Sequence, residues 1–329
     1  MHPTPEPAAT AGPRSSGPQE SASGQAAAQM RLRGLLLSLR PHQWTKNLAV
    51  FAALGFSKHL FEAPYLLRSL LAFGLFCGLS GAVYLLNDVA DVERDRLHPL
   101  KARRPIASGR VPLRLAVVVA VALAFGSLAV SLLLGRWFLA CATAYLGLNV
   151  LYSLKLKNVV IVDVLSVSLG FVLRFVAGAV AIPVPVSEWL LICTILLALF
   201  LTLAKRRHEL VSLSDTASSH RRILAEYSPY LLDQMISVVT ASCVTAYAFY
   251  TTAAETKDKF QTDKLVLTIP FVLYGIFRYL YLVHRKEKGG SPADVLLTDR
   301  PLLVAVALWA AAIVVIVYTA SGPPAPLGP

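Results

Sequence analysis

Charge is what this sequence lacks: Asp, Glu, Lys and Arg make up 15% of its 329 residues, against 56% hydrophobic residues. Soluble domains carry about a quarter charged residues, so this chain has too little polar surface to cover a water-exposed globule. Cysteine is scarce too. Cys77, Cys141, Cys193 and Cys243 all fall inside apolar stretches and form no CxxC pair. They read as small buried hydrophobes, not as a disulfide framework or a thiolate metal site. A basic leader with an apolar core is missing. Residues 1–29 are dominated by Ala, Pro, Ser, Gly and Gln and read as a disordered tail. No internal repeat is visible, and the Pro-rich stretch 321–329 reads as a second loose tail.

Long apolar runs fill the rest. Nine blocks of roughly 18–23 residues lie near 45–62, 66–87, 113–134, 137–153, 159–181, 187–204, 230–252, 265–283 and 301–320. Each matches about 30 Å of hydrocarbon crossed as a helix. The expected fold is an all-α polytopic membrane bundle over residues 30–320. Its weakest member is the first block, which carries Lys46, Asn47 and Lys58.

The net charge of +12 is sorted along the chain. Of the 31 Lys and Arg, 22 fall ahead of the first block or in the even-numbered loops, and six in the odd-numbered loops. The positive-inside rule then expects the N-terminus in the cytoplasm and the C-terminus outside. A pI near 9.7 also fits a nucleic-acid binder, but charge dispersed among membrane spans does not make a nucleic-acid surface.

The second block ends in Asn87, Asp88, Asp91 and Asp95. Spacings of three and four residues put the three aspartates on one helical face, with Asn87 beside them. Like charges there repel unless a cation neutralises them, and hard oxygen donors suit Mg²⁺ or Mn²⁺. The other reading is a solvated acidic helix end. Directly downstream, Lys101, Arg103, Arg104 and Arg110 are placed to take phosphate charge, or to serve only as a positive-inside loop.

Further polar residues gather at the same expected face: Arg40, Lys46 and Asn47; Tyr152, Lys155 and Lys157; Lys205, Arg206 and Glu209. Asp163 and Arg174 lie within the fifth block, three turns apart on one face. Charges inside a span are costly and face the bundle interior, so Asp163 is expected near the mouth of a cavity. Arg174 is open to a site role or a structural one. Arg278 is expected to snorkel. Asp299 and Arg300 precede Pro301 and read either as helix punctuation or as part of the site.

Asn87-Asp88-x-x-Asp91-x-x-x-Asp95, Arg104 to Gly109 and Tyr152 to Lys157 together resemble the UbiA superfamily of intramembrane prenyltransferases, over nearly all of 31–320. That resemblance implies nine helices around a central cavity open to the cytoplasm, and a diphosphate bound through Mg²⁺. Aromatic prenyltransferases of the superfamily carry a second acidic DxxxD motif after helix 6. Here the loop is basic, from Lys205 through Arg207. The stretch Arg40 to Asn47, the Lys205-Arg206-x-x-Glu209-Leu210 run and Asp299-Arg300-Pro301 look like the decaprenyl-phosphate phosphoribosyltransferase branch. Its members join phosphoribosyl pyrophosphate to a polyprenyl phosphate, on a route to cell-wall arabinan.

On that resemblance Asp88, Asp91, Asp95 and Asn87 are the expected metal-holding and catalytic set. Lys46, Asn47, Arg103, Arg104, Tyr152, Lys155, Lys157, Asp163, Arg174, Lys205, Arg206, Asp299 and Arg300 are the expected substrate contacts. The expected partners are phosphoribosyl pyrophosphate, a polyprenyl phosphate and the bilayer, with a homo-oligomer left open. The alternatives are prenyl transfer to an aromatic or quinone acceptor, and an anion transporter. A transporter places its site near mid-membrane between repeated halves, which the one-sided polar residues here do not favour.

Overall fold

The computed structural model describes residues 18–99, 101–212, 222–285 and 292–319. Among them are eight helices long and apolar enough to cross a membrane, and no strand. They form a multi-pass membrane protein. In chain order the helices are α1 (Pro18–Ser38), α2 (Ala52–Gly55), α3 (Ala63–Ala90), α4 (Val92–Leu97), α5 (Leu113–Ser131), α6 (Arg136–Leu154) and α7 (Val162–Ala181). They continue as α8 (Glu188–Ser212), α9 (Pro229–Thr252), α10 (Ala254–Phe260), α11 (Ile269–Arg285), α12 (Pro292–Thr298) and α13 (Arg300–Thr319).

Successive long helices pack on one another, α3 with α5 and α6, then α6 on α7, α7 on α8, α8 on α9, and α11 on α13. Helices α3 and α7 are central, with 61% of their apolar windows buried, against 17% for α6 and 22% for α13. The outer helices therefore leave most of their leucines and valines for lipid, which suits a chain whose solvent is hydrocarbon.

The first apolar block behaves differently from the other eight. It forms a 3₁₀ helix, Pro41–Phe51, followed by the single turn α2. This segment still passes from end to end of the bundle. Arg40 lies beside Asp88 at the end of α3, and the Leu60 amide donates to Tyr318 at the far end of α13. Runs of 3₁₀ helix this long are uncommon, and what holds this one is its surroundings. Helix α7 crosses it at Gly178, where a Cβ would lie 2.0 Å from the Val50 carbonyl oxygen. Asn47 turns inward, donates to Cys77 Sγ and Ser80 Oγ at 3.3 Å each, and accepts from Arg174. A polar side chain that spends itself on the interior is what kept this block from reading as an ordinary span.

Two expectations about the ends are met differently. Residues 18–29, expected within a loose tail, form the start of α1, where Ala and Gln favour helix. The tail segments 1–17 and 321–329 lie outside the described residues. All four cysteines are free; Cys77, Cys193 and Cys243 are buried.

Candidate active site

The end of α3 brings acid and base together. Asp88 and Asp95 are buried, at 4% and 2% exposure. Arg104 lies between them, its Nη1 3.1 Å from Asp88 Oδ1 and 2.6 Å from Asp95 Oδ2. Arg40 donates a second charge-assisted bond to Asp88 at 2.5 Å and stacks over the Tyr84 ring. The backbone of Arg40 is left-handed, φ 53° and ψ 62°, an uncommon state for a residue with a side chain. Pro41 fixes the turn that follows, and the hydrogen bond to Asp88 with the stacking on Tyr84 holds the side chain over the acids.

Asp91 does not join that pair. Helix α3 ends at Ala90, and Asp91 takes φ −95° and ψ 7° before α4 begins. The break turns its side chain outward, 43% exposed and 3.9 Å from Arg94. Among the described residues no group of three His, Cys, Asp or Glu could hold a metal ion. Asn87 accepts a hydrogen bond from Ser153 at 2.8 Å, which ties the end of α3 to α6. What converges is a pair of carboxylates on one positive nitrogen, not three.

The pair still fits a divalent cation. Two oxygens, one from each buried aspartate, already point at a single cationic atom, and both are hard donors. Mg²⁺ takes one or two carboxylates and completes its shell with water or phosphate, so a pair meets its requirement.

Around the acids stand the cations. Lys46 lies in the electrostatic reach of Lys205, Arg174, Arg40 and Asp294. Lys205 is half-exposed and 3.6 Å from Glu209. Arg103 and Lys155 are exposed at the rim and Lys157 is partly covered. Arg103 also lends its carbonyl to Arg110, which folds the loop back on itself.

Other expected contacts are spent on the protein. Asp163 is fully buried in the first turn of α7 and accepts from Arg206 at 2.6 Å and from Tyr227 at 2.7 Å. Arg206 also donates to Glu209 at 2.7 Å, and Tyr152 lies against it. The same Tyr227 hydroxyl accepts from the Ile161 amide, and Ile161 is held at φ 68°, an outlier for a β-branched residue. Arg174 donates to Asn47, the Gly170 carbonyl and Tyr145, each at 2.7 Å, and stacks over the Tyr145 ring. These two networks lock α7 to α8 and to the 3₁₀ segment.

Asp299 is likewise engaged. It takes a two-pronged bond from Arg278, at 3.1 and 2.9 Å, and caps the Leu302 amide at 3.0 Å. Arg278 was expected to snorkel; a partly buried carboxylate one helix away gives it a charged partner. Arg300 is exposed and lines a 570 Å³ groove with Phe271, Tyr274 and Val304, away from the aspartate pair. Tyr84, Ser153 and Tyr227 are functional neighbours that the sequence reading did not single out, and Arg40, read among the polar residues of this face, was not among the expected substrate contacts. A signal for Arg40 was there, an arginine before a proline at the head of a polar-spotted apolar block.

A model of the UbiA prenyltransferase family matches residues 48–295. The decaprenyl-phosphate phosphoribosyltransferase of Corynebacterium glutamicum is 34% identical over 293 residues, covering 87% of each chain. The enzyme of that name from Mycobacterium tuberculosis is 34% identical over 290 residues, covering 85% of this chain and 93% of its own. Among solved structures, a UbiA homolog from Archaeoglobus fulgidus bound to DMAPP and Mg²⁺ superposes with a TM-score of 0.64 at 20% identity, covering 86% of this chain and 99% of that one. A digeranylgeranylglyceryl phosphate synthase superposes at 0.65 and 18% identity, covering 88% and 99%. The chain is a transferase by descent, and it belongs to the UbiA prenyltransferase family, in the decaprenyl-phosphate phosphoribosyltransferase branch.

Proposed function

We propose that the chain transfers the 5-phosphoribosyl group of phosphoribosyl pyrophosphate to a polyprenyl phosphate, with release of pyrophosphate. The observation that carries this reading is the buried Asp88–Asp95 pair meeting Arg104 and Arg40 at a bundle end lined with further cations. The match to enzymes named for that activity, over 87% and 85% of this chain, supports it. So does the basic run Lys205 to Arg207, since the donor brings a 5-phosphate as well as a diphosphate and the acceptor brings a third anionic group.

In this reading Asp88 and Asp95 would hold Mg²⁺ or Mn²⁺, with Asp91 and Asn87 at the margin of the set. When bound, the metal supplies Lewis-acid stabilisation to the departing pyrophosphate. Arg104 and Arg40 offer planar, two-pronged donors to the phosphate oxygens. Lys46 and Lys205 neutralise charge on the 5-phosphate or the acceptor phosphate, and Arg103, Lys155 and Lys157 draw anions to the rim. The bond from C1 to pyrophosphate oxygen breaks as a phosphate oxygen of the lipid joins C1. That oxygen is anionic near neutral pH, so no side chain has to take a proton from it. The site end of the bundle faces the cytoplasm, and α13 runs from it to the outer side.

Membranes carrying the chain are incubated with radiolabelled phosphoribosyl pyrophosphate and polyprenyl phosphate. A lipid-extractable ribose 5-phosphate is the expected product. If the label stays in water while a polyprenyl diphosphate and an aromatic acceptor yield a prenylated product, the chain is an ordinary prenyltransferase instead.

A further inference from the structure

Helix α1 has two unlike faces. Its inner face is committed to the bundle. A Cβ on Gly34 would lie 2.8 Å from Val111 Cγ2 and 3.4 Å from Pro105, and Leu39 presses equally close on Gly81. Leu35 and Leu39 pack on the cluster of Leu85, Ile106 and Val111, next to the residue that carries Arg104 into the site.

The outer face is apolar and bare. Met30, Leu32, Leu36 and Leu37 are 57%, 60%, 50% and 54% exposed, and exposed Arg31 and Arg33 are interleaved with them. No acidic residue lies between Met30 and Pro41. A helix turned to water does not carry four leucine-sized side chains on its open face, and α1 is not among the helices apolar enough to cross the membrane. An apolar arc holding Arg33, with Arg31 exposed on the turn that precedes Gly34, matches a helix lying in the headgroup layer, its guanidinium groups snorkelling upward.

We infer that the outer face of α1 docks on the bilayer surface and takes anionic phospholipid through Arg31 and Arg33. Charge complementarity decides between the occupants. A second copy meeting this face by two-fold symmetry would bring arginine toward arginine, whereas anionic headgroups supply the missing negative charge. Docked in this way, α1 lies between the membrane surface and the loop that carries Arg104. The inference needs only a membrane-embedded chain and stands apart from the proposed reaction.

The test uses the full chain in phospholipid vesicles doped with either a photoactivatable phosphatidylglycerol or a photoactivatable phosphatidylcholine. Adducts are mapped by peptide mass spectrometry. The phosphatidylglycerol probe is expected to label Met30 to Leu37 in excess of the phosphatidylcholine probe. Each arginine near an anionic surface favours binding by about fivefold, so Arg31→Gln with Arg33→Gln should cut that labelling by more than about tenfold. Labelling of the spans should not change, which reports that the double variant is folded. Equal labelling by the two headgroups, no adduct on α1, a chain-to-chain crosslink in its place, or displacement of the probe by polyprenyl phosphate would each overturn the inference.

Discussion

The molecule has hydrogen-bonded arginines in two settings. At the bundle end Arg104 and Arg40 share two aspartates and remain 30% and 26% exposed. Within the helix wall Arg174 and Arg206 are 6% and 4% exposed and meet protein partners on several sides. The residue types are the same, and the satisfaction differs. Arg174 spends all three nitrogens on an amide, a carbonyl and a hydroxyl, and Arg206 spends two on Glu209 and Asp163, so both hold helices together. A guanidinium that bridges two carboxylates at an open mouth can exchange them for a phosphate, because it keeps charge, hydrogen bonds and access.

Metal removal breaks the comparison most sharply. Chelating divalent ions should abolish lipid ribosylation, Mg²⁺ or Mn²⁺ should restore it, and the thermal midpoint should not move, because the structural networks contain no metal-binding pair. Turnover and a melting curve on the same purified sample check both halves.

Next in size is the cost of orphaning a wall charge. Asp163→Ala leaves Arg206 buried beside an unmatched site, and loss of one partner of a buried pair typically costs about 3–5 kcal/mol. The expected outcome is a large fall in thermal midpoint and in monodisperse yield. An Asp163→Ala chain as stable as its parent would place Asp163 among the substrate contacts.

How much of this could be read from the sequence depends on what each residue's partner is. Eight of the nine apolar blocks became long helices because burial in lipid needs only composition and length. The block at 45–62 did not, since Asn47 answers to Arg174, 127 residues away. The spacing of Asp88, Asp91 and Asp95 was legible and the break at Asp91 was not, because one residue's turn rotates a side chain off the shared face. Asp163 and Arg174 were legible as interior charges. Their roles were not, for Arg206 lies 43 residues from Asp163 and only the fold brings them together.

Two smaller effects sharpen the boundary of the site. Asp91→Asn should lower turnover by about tenfold, well short of Asp88→Asn, because Asp91 stands outside the converging pair. Parallel single-turnover assays compare the two, and equal losses would bring Asp91 into the metal-holding set. Lys46→Met should raise the KM for phosphoribosyl pyrophosphate by roughly tenfold with kcat little changed, the signature of a group that binds donor and transition state alike. A kcat loss at saturating donor would move Lys46 into the chemical step.

The most direct measurement takes purified Asp88→Asn and reads lipid-linked ribose 5-phosphate formation and thermal midpoint together. Transfer should fall by about 10³-fold, on the scale of losing a main electrostatic stabiliser, while the midpoint holds within a few degrees. Full turnover in that variant, or a collapse in stability like that expected for Asp163→Ala, would contradict the assignment of the Asp88–Asp95 pair as the reacting centre.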